Sequence, residues 1–212
     1  MDTTKRAWFA IPKTDKICVC YAYDITIERV QMRCQNGVTL LEMMITVAIV
    51  AIVLTTVAPS IQSILVQNRI IGEINELSGI IQFARHSAID EQTNTVVCPT
   101  EDYTNCTNNW DNAKMVFMDL DANGMRGANE VLLVASSVIN RVNDMTGPAG
   151  GFAFLPSGAA SANATILLCH QNNNNEYARA LTISLQGRVK MSADNNNDGI
   201  HEDTNGTALD CS

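Results

Sequence analysis

Glu42 stands inside an otherwise apolar run, where an ionised carboxylate needs a cationic partner or a route to water. Two more groups of acids are spaced for cation binding. Asp119-Leu120-Asp121-Ala122-Asn123-Gly124, with Glu130 at the twelfth position, fits the EF-hand loop formula. Asp119, Asp121, Asn123 and Glu130 would be the calcium ligands. The flanks read as strands, however, and Arg126 inside the loop opposes a cation, so a polar β-turn competes with a calcium site. Asp194-Asn195-Asn196-Asn197-Asp198-Gly199 has similar alternation, with Glu202 and Asp203 nearby, and reads otherwise as a solvated loop. In Gly187-Arg188-Val189-Lys190, alternate residues of a strand would put Arg188 and Lys190 on one face, where they could meet phosphate. The plainer reading is a turn glycine followed by two exposed cations. His86, His170 and His201 have no evident nucleophile beside them, and Cys169-His170 fits no zinc spacing. We therefore read no enzyme and no cofactor, with calcium as the one candidate ion.

These residues need an anchor and a scaffold, and the charge pattern separates the two. Residues 1–37 carry six of the fourteen basic residues and four of the twenty-two acidic ones, so the remainder carries eight and eighteen, a net of −10. The overall charge of −8 argues against a general nucleic-acid binder. From Met43 to Asn68 there is no charged residue, and with Val38–Leu41 the apolar run reaches the roughly 20 residues a bilayer requires. A basic flank before that run and an acidic segment after it place the N-terminus in the cytoplasm and the rest outside it. Cys18, Cys20 and Cys34 precede the run and should stay reduced, whereas Cys98, Cys106, Cys169 and Cys211 follow it into an oxidising compartment. Four such cysteines allow two bridges in three pairings.

A helical period outlasts the apolar run. Ile61, Ile64, Leu65, Ile71, Ile74, Leu77, Ile81, Ala84 and Ala88 trace one face, and Arg69, Glu73, Glu76 and Arg85 the other. One helix over Thr39–Gln92 fits, and two helices parted at Pro59 are the alternative. Beyond Thr95 short β-rich runs alternate with turns: Val96–Cys98, Lys114–Met118, Val131–Val138, Gly151–Phe154, Thr165–Cys169, Arg179–Leu185 and Arg188–Met191. The clusters at Asp144–Gly151 and Asn172–Asn175 read as turns. The fold class expected is α+β: a long N-terminal helix, membrane-spanning in its first half, packed on a mostly antiparallel sheet.

Gly37-Val38-Thr39-Leu40-Leu41-Glu42 resembles the type IV prepilin cleavage motif, although Val38 stands where that family usually has Phe. The resemblance implies a peptidase cut between Gly37 and Val38, methylation of the new amine, and Glu42 as the fifth mature residue. Cleavage would expose a positive amine in lipid, and Glu42 of one subunit beside the amine of its neighbour would neutralise both and set their axial register. Pro59 also matches, since pilins commonly have a proline about one membrane width after the cut, where it would kink or loosen the helix. An ordinary signal peptide fits poorly, because Pro59 follows the only small-residue cut site at Ala58. Within the leader, Met32–Gly37 alone would be of normal length, so residues 1–31 read as an extension ahead of a true start at Met32.

The order of further features is similar to the GspH/FimT family of minor pilins and pseudopilins: Cys98 and Cys106, Trp110, Val116-Phe117-Met118-Asp119, the acidic loop leading to Glu130-Val131-Leu132, Cys169, and Gly187-Arg188-Val189-Lys190. The resemblance implies a leader at 1–37, a transmembrane and assembly half-helix at 38–66, an amphipathic half at 67–92 and a β-rich periplasmic head at 93–212. It implies other pilins, the prepilin peptidase/N-methyltransferase, an inner-membrane assembly platform and lipid as partners. The function expected is assembly into the pseudopilus of a type II secretion system or into a type IV pilus. A DNA-binding minor pilin using Arg188 and Lys190 is the alternative. Of the possible bridges we pair Cys98 with Cys106, across a short loop containing Pro99 and Asn105. Cys169 with Cys211 would then clamp the polar tail Ser192–Ser212.

Overall fold

A computed structural model describes residues 38–212, except the side chains of residues 56–60. The leader, Gly37, Cys18, Cys20, Cys34 and the Met32 start lie outside the described residues, and the kink expected at Pro59 falls on one of the omitted side chains. The chain forms two units, residues 1–60 and 61–212. One helix, α1 (Leu40–Asp90), contributes residues to both, in place of two helices parted at Pro59.

In the first unit Thr39 caps α1. Its hydroxyl accepts the Glu42 N–H at 3.2 Å, and its carbonyl accepts the Met43 N–H at 3.1 Å. A capping threonine followed three residues later by glutamate is a strong helix-start pattern, because both side chains serve the orphan donors of the first turn. The side chains that follow are apolar and outward: Leu40 is 77% exposed, Met44 64% and Leu54 63%. Thr46 and Thr55 donate their hydroxyls back to Met43 O and Ile52 O, so these polar groups are satisfied within the helix. Among the described residues no helix is long and apolar enough to cross a membrane, the described side chains of the apolar run ending at Thr55.

The second unit is built from the remainder of α1 and eight strands. The strands are β1 (Asn94–Thr100), β2 (Ala113–Asp119), β3 (Leu132–Ala135), β4 (Asn143–Thr146), β5 (Phe152–Phe154), β6 (Ala164–His170), β7 (Arg179–Ile183) and β8 (Val189–Met191). They make two antiparallel sheets rather than one, ordered β3-β2-β1-β5 and β4-β6-β7-β8. β4 lies where the sequence reads as turn. Its Asn-Asp-Met-Thr has little β propensity, and it pairs because Asn143 and Met145 turn inward against β6.

Ile70, Ile74, Leu77, Ile81, Ala84 and Ala88 of α1 are at most 3% exposed and meet inward residues of both sheets, among them Val97, Val116, Phe154, Ile166, Leu181 and Ile183. Each large member contributes about 1.5–3 kcal/mol of transfer free energy. The buried stripe passes through Ile70, not Ile71, and Ile61, Ile64 and Leu65 are about half exposed, outside it. Nor are Glu73 and Arg85 free on the opposite face. Glu73 accepts the Asn140 N–H at 3.0 Å and Asn143 Nδ2–H at 2.8 Å. Arg85 donates to Gly158 O at 2.9 Å and Gln186 O at 3.4 Å. Helical periodicity locates polar positions but not the loop carbonyls and amides that come to meet them.

Candidate assembly and ligand sites

Glu42 is exposed one turn into an apolar surface, with no cationic neighbour among the described residues. Helix geometry fixes its position. Because α1 starts at Leu40, Glu42 sits in the first turn, where the helix dipole favours a negative charge.

The first acidic loop joins β2 to β3 and is closed by its own backbone. Asp119, 4% exposed, accepts the N–H groups of Asn123 at 3.1 Å and Gly124 at 3.0 Å. Glu130, 7% exposed, accepts those of Leu120 and Gly127, each at 2.7 Å. Asp121 accepts Asn123 Nδ2–H at 2.8 Å. One carboxylate oxygen each from Asp119, Asp121 and Glu130 lie within 4.8 Å of one another. Arg126, the residue expected to oppose a cation, instead donates to Tyr103 O at 3.0 Å in a neighbouring loop. The loop Asp194–Gly199 repeats the design: Asp194 accepts from Asn197 and Gly199, and buried Glu202 from Asn195. Its Asp194, Asp198 and Glu202 also converge.

Arg188, just before β8, and Lys190, within it, are exposed, and Lys190 borders a recess that also contains Glu202 and Asp203. This mixed, largely acidic setting does not favour DNA over any other polyanion. His170 meets Tyr177 edge-on at 6.0 Å. His201 does have a hydroxyl neighbour, Ser192 Oγ at 3.3 Å from Nδ1, a pairing not evident from the sequence. The same ring nitrogen lies 3.0 Å from Ser192 O, and Ser192 Oγ accepts the Ala180 N–H, so the contact ties the tail to β7.

Cys98 is bonded to Cys106 and Cys169 to Cys211. Pro99 follows Cys98 in β1 just beyond the reach of β5, which pairs only with Thr95–Val97, so its missing N–H breaks no ladder bond there. In the enclosed loop Asp102 accepts the N–H groups of Asn105 and Thr104, which hold its carboxyl down at about 2.

The sequence reading missed Lys114. Its side chain faces the gap between α1 and the segment after β3, and the residue is 3% exposed. Burial pushes its ammonium down to about 8, while Asp111, Glu73 and Glu76 pull it back up. A lysine inside the otherwise apolar run Ala113–Met118 was the one available signal, since such a continuous run belongs to a strand covered on both faces.

A capped apolar helix and a head of two antiparallel sheets define an α+β class. The model of the type II transport protein GspH family matches residues 73–187, over half of the chain, and the prokaryotic N-terminal methylation motif matches residues 32–58. The chain belongs to the GspH family: it is a minor pseudopilin or pilin subunit of type II secretion or type IV pilus machinery. The family is one of structural subunits, and its methylation motif goes with a membrane-anchored chain that enters a filament. The fold is similar to the type IV minor pilin FimU of Pseudomonas aeruginosa, at 17% identity over 59% of this chain and 90% of that one, with a TM-score of 0.48. It is also similar to the minor pseudopilin EpsH of Vibrio cholerae, at 11% identity over 63% of this chain and 99% of that one, with a TM-score of 0.46. No curated protein matches in sequence.

Proposed function

We propose that the chain is made as a precursor, cut after Gly37, methylated on Val38, and held in the inner membrane by residues 38–66 with its head in the periplasm. From there it enters a pseudopilus or pilus by packing that helix against those of other subunits. The observation that carries this reading is the surface of α1 from Leu40 to Leu54: apolar side chains half or more exposed, with Glu42 as the one charge. A helix apolar all round is stable only when lipid or other helices cover it. Glu42 then pairs with the methylated amine of a neighbour, since neither charge is tolerated alone in an apolar medium.

Intact mass of the chain extracted from filaments tests the reading. The expected species is Val38–Ser212 plus one methyl group. Glu42→Ala should give the same mass in the membrane fraction and be lost from the filament fraction. A mature N-terminus at or beyond Thr55, or normal filament content of Glu42→Ala, would overturn it.

The subunit works in this reading without a resident ion. The carboxylates of Asp119 and Glu130 accept four loop N–H groups, which close the loop by itself. Millimolar calcium is expected to leave the melting temperature of the full chain in detergent unmoved. A rise in Tm, which any ligand selective for the folded state produces, would instead make Asp119, Asp121, Asn123 and Glu130, or the Asp194 loop, a calcium site.

A further inference from the structure

Asn123-Gly124 and Asn205-Gly206 are the Asn-Gly pairs among the described residues. Asparagine followed by glycine is the pair most open to attack by the main chain on the side chain before it, because glycine has no Cβ to hinder ring closure. Both pairs are exposed, and both glycines have positive φ, +75° at Gly124 and +83° at Gly206. They differ in what holds the reacting atoms. At the first, the Gly124 N–H donates to the buried carboxylate of Asp119 at 3.0 Å. Both ends of the Asn123 amide are also taken: Nδ2–H donates to Asp121 at 2.8 Å, and Oδ1 accepts the Met125 N–H at 2.6 Å. At the second, the Gly206 N–H reaches only a neutral carbonyl, that of Asp203, at 3.2 Å. Asn205 Nδ2–H donates to Asp203 Oδ2 at 3.4 Å, and no donor among the described residues meets Asn205 Oδ1. The surrounding turn, residues 204–207, is exposed throughout, and nothing lies within 4 Å of a would-be Gly206 Cβ.

We propose that Asn205-Gly206 is a self-modification site that converts to isoaspartate and aspartate in the folded chain, with water as its co-reactant, while the loop around Asn123-Gly124 holds that pair unreactive. The Gly206 amide gives its proton to hydroxide, and its nitrogen attacks Asn205 Cγ. The Cγ–Nδ2 bond breaks, ammonia leaves carrying a proton returned from water, and a cyclic imide remains. Water then opens the imide. Cleavage at the main-chain carbonyl gives isoaspartate, with the chain rerouted through Cβ and Cγ, and cleavage at Cγ gives aspartate. One water enters and one ammonia leaves, with no oxidation. At Gly124 the first step is opposed, since the nitrogen would turn negative beside an ionised carboxylate. Either product puts a carboxylate at 205 next to Asp203, whose Oδ1 already accepts the Asn205 and Thr207 N–H groups. Isoaspartate also adds a methylene to the backbone of the turn. That turn closes the tail's return from Glu202 to Ala208, so the new charge loosens the bridge between them. The tail stays attached, because the Leu209 N–H donates to His201 O at 2.8 Å and Cys211 is bonded to Cys169.

Incubation of the full chain in detergent at mildly alkaline pH tests the proposal, with peptide mass mapping and fragmentation that separates isoaspartate from aspartate. Conversion at Asn205 is expected to be at least about tenfold faster than at Asn123, the ratio supplied by one hydrogen bond to a charged group that must be given up on the way to the transition state. The rate at Asn205 should rise in proportion to hydroxide. In the reduced and denatured chain both sites should react at similar rates, which assigns the difference to the fold. Asn205→Gln, whose longer side chain closes its ring far more slowly, should remove the product and keep the parent's melting temperature. Equal rates at the two sites of the folded chain, or faster conversion at Asn123, would overturn the proposal. So would an unreactive Asn205 in a folded chain whose denatured form reacts, and aspartate formed without isoaspartate would overturn the ring-closing route.

Discussion

Gly187→Ala is expected to destabilise the head by about 3 kcal/mol or more, enough to leave much of it unfolded in the cell. Gly187 has φ of +74°, and a Cβ there would lie 1.9 Å from the Gly158 carbonyl oxygen and 2.7 Å from Arg85 Nε. The first contact is with backbone, so the β7–β8 turn must move. The second disturbs the guanidinium that donates to that same oxygen. One methyl group therefore adds left-handed strain to a clash and loosens the tie from α1 to two loops. Gly199→Ala separates these effects. Gly199 has φ of +91° but nothing within 4 Å of its would-be Cβ. It should lose only the conformational term, about 1–2 kcal/mol. Chemical denaturation of the two variants is the measurement, and equal losses would show that the close approach at Gly187 carries no energy of its own.

The second large effect is loss of the Cys169–Cys211 bridge. Its residues are 42 apart in sequence, against 8 for Cys98 and Cys106. The chain-entropy relation gives about 4 kcal/mol for the longer closure and about 2.6 for the shorter. Cys211→Ser should accordingly lower the melting temperature more than Cys106→Ser. The tail is not held by the bridge alone. Leu209 is 8% exposed and packs with Cys169, Ala178 and Ala180, and Asn175 accepts the Cys211 N–H at 2.9 Å. These contacts slow the tail's release without replacing the closure. A larger loss from Cys106→Ser would reverse the argument, and peptides joining Cys98 to Cys169 or Cys211 would refute the pairing itself.

The legible part of the sequence was the part written in local patterns. The single helix expected over Thr39–Gln92 is α1 (Leu40–Asp90), the spacing of Ile74, Leu77, Ile81, Ala84 and Ala88 gives its buried face, and seven of the eight strands lie in β-rich runs. What was hidden depends on the partner. β4 has no intrinsic strand signal and exists because β6 offers an edge. The division into two sheets is set by how strands far apart in the chain pair, which no window of sequence contains. Lys114 was overlooked for a related reason. A charged residue in a strand is ordinarily solvated, and only packing of α1 over that face turns it into a buried cation. Arg126 shows the reverse case. Its charge counted against a cation in the loop while it was read as part of the loop, and it points away to Tyr103.

Arg85 has a mechanical consequence. Its guanidinium reaches the carbonyl of Gly158, between β5 and β6, and that of Gln186, between β7 and β8. The first connection leads from one sheet to the other, and the second lies within the other sheet. Tension drawn along this part of the helix is therefore shared between both sheets by Arg85, beside the buried stripe and the Glu73 bonds to Asn140 and Asn143, and loads the two layers together. Bonds loaded together in shear resist pulling better than bonds opened one at a time, and resistance to forced unfolding is governed by the rate of that first rupture.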